Sequence, residues 1–186
     1  MSLDALNVQF CGFGGQGVVL ASVIFGTTAV TKAGLEACQT QSYGSEARGG
    51  ECQAQVIVSR HPINSPLIEV TDLLVAMSRQ ALEKYLPRLR PGGTLIFDPD
   101  LVSAPPSGDF TALEVPATRL AGALGNSLAA NMLMLGFLQN ATGLFSEEDF
   151  LAVITENVPA RFVDVNLAAA RRGMDLARQK RVRIEV

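Results

Sequence analysis

Cysteine, histidine and positive charge are all scarce in this chain, and each scarcity removes a class of function. Its three cysteines, Cys11, Cys38 and Cys52, lie far apart and form no C-x-x-C pair. That spacing excludes a disulfide framework and a zinc or iron–sulfur site built by this chain alone, and it suits a reducing cytoplasm. All three fall in expected strands and read as small core residues. The single histidine, His61, precedes a proline in a turn and reads as a surface residue without a nucleophile partner. No G-x-S-x-G elbow, H-E-x-x-H helix or Walker A loop is present. A formal charge of -3 carries no basic stripe of the kind nucleic acid requires. The one basic cluster, Arg178, Lys180, Arg181 and Arg183, reads as a solvated helix end complementing the macrodipole. Long apolar runs are also missing. Asn7 and Gln9 interrupt the first, and Asn126, Asn131 and Gln139 interrupt the stretch near 130, so neither a signal peptide nor a membrane span is expected.

What remains is an apolar chain, 48% hydrophobic over 186 residues, read as a single domain over 1–186. Strands are expected at Leu6 to Cys11, Glu36 to Gln41, Glu51 to Ser59, Asp72 to Met77, Thr94 to Phe97 and Ala112 to Val115. In the third, Cys52, Ala54, Val56 and Val58 alternate with Gln53 and Gln55, the period of a strand. The fourth is a continuous apolar run, as in a strand buried on both faces of a parallel sheet. Helices are expected at Val18 to Lys32 with Gly34 as C-cap, and at Arg79 to Leu89 with Ser78 capping and Pro91-Gly92-Gly93 closing. Others follow at Pro116 to Leu124, Ser127 to Ala141, Ser146 to about Asn157 (a variant capping box with Asp149), and Val163 to Arg181. Alternating strands and helices imply an α/β fold: a doubly wound, mainly parallel sheet with helices on both faces and a helical C-terminal third.

One stretch carries chemistry. Gly12-Phe13-Gly14-Gly15-Gln16-Gly17 joins the first strand to the first helix and fits G-x-G-x-x-G. Backbone at such a turn approaches a phosphate closely, and free amides with the helix dipole favour its charge. A dinucleotide fold would then place a carboxylate at the tip of the second strand. Here that strand ends in Thr40-Gln41-Ser42, and Glu36 stands at its start, which argues against NAD or FAD. The polar, glycine-rich segment 42–50 follows, and both segments are expected on the carboxyl-end rim of the sheet. Within it, Glu46 and Arg48 either pair across a turn or leave the Arg48 guanidinium for an anion.

Taken together, Gly12-x-Gly14-Gly15-Gln16-Gly17 and Ser42-Tyr43-Gly44-x-Glu46-x-Arg48-Gly49-Gly50 resemble the gamma subunit of 2-oxoacid:ferredoxin oxidoreductases. Ile63-x-Ser65-Pro66, Pro91-Gly92-Gly93, Val115-Pro116-Ala117-Thr118, Gly125-Asn126 and Asn131-Met132 extend the resemblance from about residue 6 to 175. The 42–50 segment is closest to the 2-oxoglutarate, ketoisovalerate and pyruvate branches, and the 2-oxoglutarate type is expected. The resemblance implies a Rossmann-like subunit of a cytoplasmic heteromeric enzyme that converts a 2-oxoacid and coenzyme A into acyl-CoA and CO2. It implies alpha, beta and ferredoxin-like delta partners that carry thiamine diphosphate and the iron–sulfur clusters and pass electrons to ferredoxin or flavodoxin. It also implies coenzyme A at or near Gly12, Gly14, Gly15, Gln16, Gly17, Ser42, Tyr43, Gly44, Glu46, Arg48, Gly49 and Gly50, with no catalytic or metal-binding residue in this chain. An assembly-only subunit and a stand-alone NAD(P)-binding protein are the alternatives.

Overall fold

The computed structural model describes residues 5–43 and 50–185. Six strands form one sheet in the order β2-β3-β1-β4-β5-β6. They span Ala5–Phe13 (β1), Glu36–Tyr43 (β2), Glu51–Ser59 (β3), Thr71–Ala76 (β4), Leu89–Phe97 (β5) and Phe110–Glu114 (β6). Three of the five neighbouring pairs are parallel, β1 with β4, β4 with β5 and β5 with β6. Strand β3 is antiparallel to both of its neighbours. Five strands therefore point one way and β3 alone the other. The carboxyl ends of β1 and β2 meet the start of β3 on a single rim.

Among the described residues six helices flank this sheet: Val18–Thr31 (α1), Arg79–Tyr85 (α2), Ala117–Ala123 (α3), Ala130–Thr142 (α4), Glu147–Asn157 (α5) and Val163–Gln179 (α6). The main core joins one sheet face (Leu6, Val8, Phe10, Cys52, Ala54, Val56, Val58, Leu73, Val75) to α1 and α3–α6. Alternation sends Cys11, Leu74, Ala76, Leu95 and Phe97 to the other face, where α2 supplies Ala81, Leu82 and Tyr85. Helices thus lie on both faces, five on one and the short α2 on the other. Beyond the reach of α2 that second face is polar: Gln9 Nε2 donates to Gln53 Oε1 (2.7 Å), and the Gln55 side chain bonds the Ile68 carbonyl.

Two expectations need correction. The helix after Ser78 ends at Tyr85, and a 3-10 turn over Leu86–Arg88 leads directly into β5. Pro91-Gly92-Gly93 does not separate helix from strand; it lies within β5. There Thr71 pairs with Leu89 but Leu73 already pairs with Thr94, so Arg90 to Gly93 bulge out of the ladder. A bulge tolerates the proline, which has no amide to donate, and Gly92 at φ 71°. Second, Cys38 is not a core residue: it sits half-buried on the edge strand β2, while Cys11 and Cys52 are buried. The C-terminal basic residues have partners of their own. Arg178 pairs with Asp175 (2.8 Å) and Glu147, Lys180 donates to the Glu114 carbonyl (2.8 Å), and Arg183 donates to that of Asn140 (3.0 Å).

Candidate anion site at the glycine turn

The turn between β1 and α1 is fixed by two side chains that contact it from inside the chain. Gln16 folds back under its own backbone: its Oε1 accepts from the Phe13 amide (2.6 Å) and its Nε2 donates to the Met77 carbonyl (2.8 Å). It thereby ties the end of β1 to the end of β4. Gly12 lies below, where any side chain would collide with Gln16 Oε1. Asn131, buried at the start of α4, donates from Nδ2 to the Gly17 carbonyl (3.2 Å) and accepts from the Met132 amide (2.9 Å). Gly17 is the N-cap of α1 in the left-handed region, φ 73° and ψ 23°. Both this backbone and the space taken by Asn131 demand glycine there.

These contacts leave a patch of donors facing the rim. Among the described residues no side chain caps α1, and its first turn contains no acidic residue. Among the described residues, the amides of Gly15, Gly17 and Val18 have no acceptor. Gly15, at φ 96°, has open space where a Cβ would stand. Unsatisfied amides at the positive end of a 14-residue helix make a site for negative charge. Gly14 behaves differently, because its amide donates to the Gly50 carbonyl (2.8 Å). That bond joins the glycine turn to the start of β3.

Ser42, Tyr43 and Gly50, the described ends of the segment 42–50, lie on the same rim. Ser42 and Tyr43 end β2, opposite Gln53 and Cys52, and Tyr43 is 62% exposed. Gly44, Glu46, Arg48 and Gly49 lie outside the described residues. Of the twelve site residues read from the sequence, Gly12, Gly14, Gly15, Gln16, Gly17 and Gly50 are brought together, with Ser42 and Tyr43 at the far end of the segment. Cys11, directly before the turn, is fully buried. Burial, and then the Glu51 charge, push its thiol far above the usual range, so it stays protonated. Burial followed by Glu51 raises Tyr85 as well.

Asn131 and Asp98 are the site-rim residues that motif reading leaves without a role. Asp98 is buried at the end of β5 and accepts from the Thr118 amide (2.7 Å), the Thr118 hydroxyl (2.6 Å) and the Asp100 amide (3.0 Å). It anchors α3 and is not a free acid. The signal available was the pairing of Asp98-Pro99 with Val115-Pro116-Ala117-Thr118, two strand exits in succession. The strand order also accounts for the missing ribose carboxylate. In a dinucleotide fold β2 lies beside β1, whereas here β3 separates them and β2 is displaced to the edge.

Comparison with known proteins adds a second line. Residues 7–176 match the family model for pyruvate ferredoxin/flavodoxin oxidoreductase. The chain is 45% identical over 177 residues to the 2-oxoglutarate synthase subunit KorC of Methanothermobacter thermautotrophicus, covering 91% of this chain and 94% of that protein. The keto/oxoacid ferredoxin oxidoreductase gamma subunit from Geobacter sulfurreducens superposes with a TM-score of 0.83 at 34% identity, over 94% of this chain and 99% of that one. A 2-oxoglutarate:ferredoxin oxidoreductase from Magnetococcus marinus, solved with 2-oxoglutarate, coenzyme A and succinyl-CoA bound, gives 0.82 at 23% identity. That likeness is one of fold alone, and the matched part is 31% of that chain.

Proposed function

From the premise that this chain belongs to the pyruvate ferredoxin/flavodoxin oxidoreductase family, as a gamma-type subunit of a 2-oxoacid:ferredoxin oxidoreductase, we propose that it holds coenzyme A phosphate at the glycine turn of a cytoplasmic, 2-oxoglutarate-oxidising complex. The observation that carries this is the set of amides at Gly15, Gly17 and Val18 at the N-terminus of α1, unpartnered and uncapped among the described residues. Coenzyme A, when bound, supplies the thiol that accepts the acyl group. The chain's own part is to bind and orient. The turn donates amides to phosphate, Gln16 and Asn131 hold those amides in place, and the Gly14–Gly50 bond keeps the start of β3 beside them. We assign Tyr43, and Arg48 outside the described residues, to contact with the same ligand or with a neighbouring subunit. Thiamine diphosphate and the iron–sulfur clusters belong to the alpha, beta and ferredoxin-like delta chains, which deliver electrons to ferredoxin or flavodoxin.

Steady-state kinetics of the assembled complex tests this reading. Gly15→Asp places a carboxylate in open space beside the free amides, and Gly15→Ala, which carries the same backbone strain at φ 96° without the charge, is its control. The KM for coenzyme A is expected to rise at least tenfold while that for 2-oxoglutarate stays within about twofold, as loss of one charge-assisted anion contact predicts. An unchanged KM for coenzyme A overturns the assignment. A second reading, assembly alone, draws on the internal bonding of Gln16 and the Gly14 amide. Arg48→Ala separates the two: raised coenzyme A KM in an intact complex supports the site, and loss of subunits supports assembly.

A further inference from the structure

The basic cluster that follows α6 borders a cavity with no part in the glycine turn. Four cations, Arg90, Lys180, Arg181 and Arg183, line about 610 Å³ of space at the amino ends of β1, β4 and β5. That volume is in the range of small-molecule sites. Asp72 and Glu185 are the carboxylates of its wall among the described residues, so four positive charges face two negative ones, in a chain whose formal charge is -3. Asp72 is already engaged, accepting from Arg90 Nε (2.6 Å) and the Asn7 amide (2.8 Å). Lys180 and Arg183 each donate to a backbone carbonyl, which leaves their charge uncompensated. Among the described residues the Arg181 side chain has no partner.

The backbone singles out the same residue. Helix α6 ends in a Schellman closure: the Arg181 amide donates to the Arg178 carbonyl (3.0 Å) and the Val182 amide to that of Ala177 (3.0 Å). Residue 181 therefore lies in the left-handed region, φ 52°, where glycine is the usual occupant. An arginine here holds an unfavourable backbone, yet its guanidinium serves no contact of the described fold. Backbone strain of this kind collects at ligand clamps. The tail beyond is fixed, because the Ile184 amide donates to the Ala141 carbonyl (2.9 Å) and Val182 and Ile184 pack on the main core.

We propose that this cavity binds a small organic dianion, a phosphate ester or a dicarboxylate, clamped by the Arg181 guanidinium with Lys180 and Arg183 completing the charge. Two positive charges in excess call for a dianion. The volume, with Leu73, Leu113 and the Thr94 and Thr111 hydroxyls in the wall, calls for a body larger than a bare ion. The site is separate from the glycine turn: β1 leaves the cavity at Leu6 and reaches the turn beyond Phe13, about 20 Å away. It lies at the opposite end of the sheet from the rim where such folds hold their cofactors, and it stands independently of the coenzyme A reading.

Titration calorimetry of the full chain at low ionic strength, with glycerol 3-phosphate and with succinate, tests this and separates the two sources of charge. At least one should bind with Kd below about 1 mM, and inorganic phosphate should bind at least tenfold more weakly than that probe. Arg181→Gly should weaken binding at least tenfold while the unliganded chain melts no lower than the wild type, since glycine relieves the left-handed backbone. Arg161→Gln, at an exposed arginine outside the cavity wall, should bind like the wild type. Added coenzyme A should leave the probe's affinity within about twofold. Failure of both probes to bind below about 1 mM overturns the proposal, as does inorganic phosphate binding equally well. Unchanged binding by Arg181→Gly also overturns it, and so does displacement of the probe by coenzyme A. Loss of binding together with a lower melting temperature rejects Arg181 as the clamp and makes it a structural residue.

Discussion

Gln16 shows how a motif residue acts on the backbone around it. Its amide satisfies the Phe13 N–H and the Met77 C=O together, across 61 positions of sequence in the second case. Truncation to Ala leaves both groups without their partner in a half-buried place, and an unsatisfied buried polar group costs about 1–3 kcal/mol. Gln16→Ala should lower unfolding free energy by about 2 kcal/mol, seen as a lower urea midpoint with the slope unchanged. The cysteines give a second check at this scale. Cys11 and Cys52 are buried with raised thiol titrations, whereas Cys38 lies half-buried on the edge. A thiol reagent at neutral pH should therefore modify one cysteine per folded chain, Cys38, and all three after denaturation.

Among the elements, the crossing of α4 and α6 is the tightest. A Cβ on Gly173 would collide with the Leu133 carbonyl and approach the Phe137 amide, and one on Gly136 would collide with the Ala170 carbonyl. Reciprocal glycines let the helix backbones touch. Gly173→Ala should thus destabilise by about 1–3 kcal/mol through overpacking, despite the gain of about 1 kcal/mol in helix propensity; thermal unfolding measures it. This scale is also where sequence reading succeeded and failed. Alternation in Glu51–Ser59 and the continuous apolar run in Thr71–Ala76 gave strands and faces, because periodicity is local. The order of the strands is not local. Nothing in the β3 pattern reports that it inserts antiparallel between β1 and β2. Pro91 and Gly92 read as a break because a bulge and a break use the same residues. At the site, the glycine turn was legible from its spacing. Asn131 was not, since its contact with Gly17 spans 114 residues and no short motif encodes it.

The whole molecule places most of its helices on one sheet face and leaves Cys11, Tyr85 and Glu51 under the thin cover of α2. This asymmetry has a consequence at alkaline pH. Burial raises Cys11 and Cys52 above the ordinary thiol value of 9.0, and burial with the Glu51 charge raises Tyr85 above 10.0. Lys84 is raised as well, chiefly by its hydrogen bond to Glu51. In each case the folded state holds a proton that the unfolded chain gives up. The associated stability is complete below pH 9 and declines as pH rises through the raised values. While one of the buried thiols or Tyr85 is deprotonated in the unfolded chain only, the slope is about 1.4 kcal/mol per pH unit, and exposed Lys84 adds little because solvent screens it. Unfolding midpoints should be insensitive to these groups between pH 6 and 8, then fall above about pH 9. Cys11→Ala should be less stable at neutral pH for its lost packing, yet lose less on going to pH 10.5. Equal alkaline slopes for the two proteins would show that the thiol beneath the glycine turn takes no part.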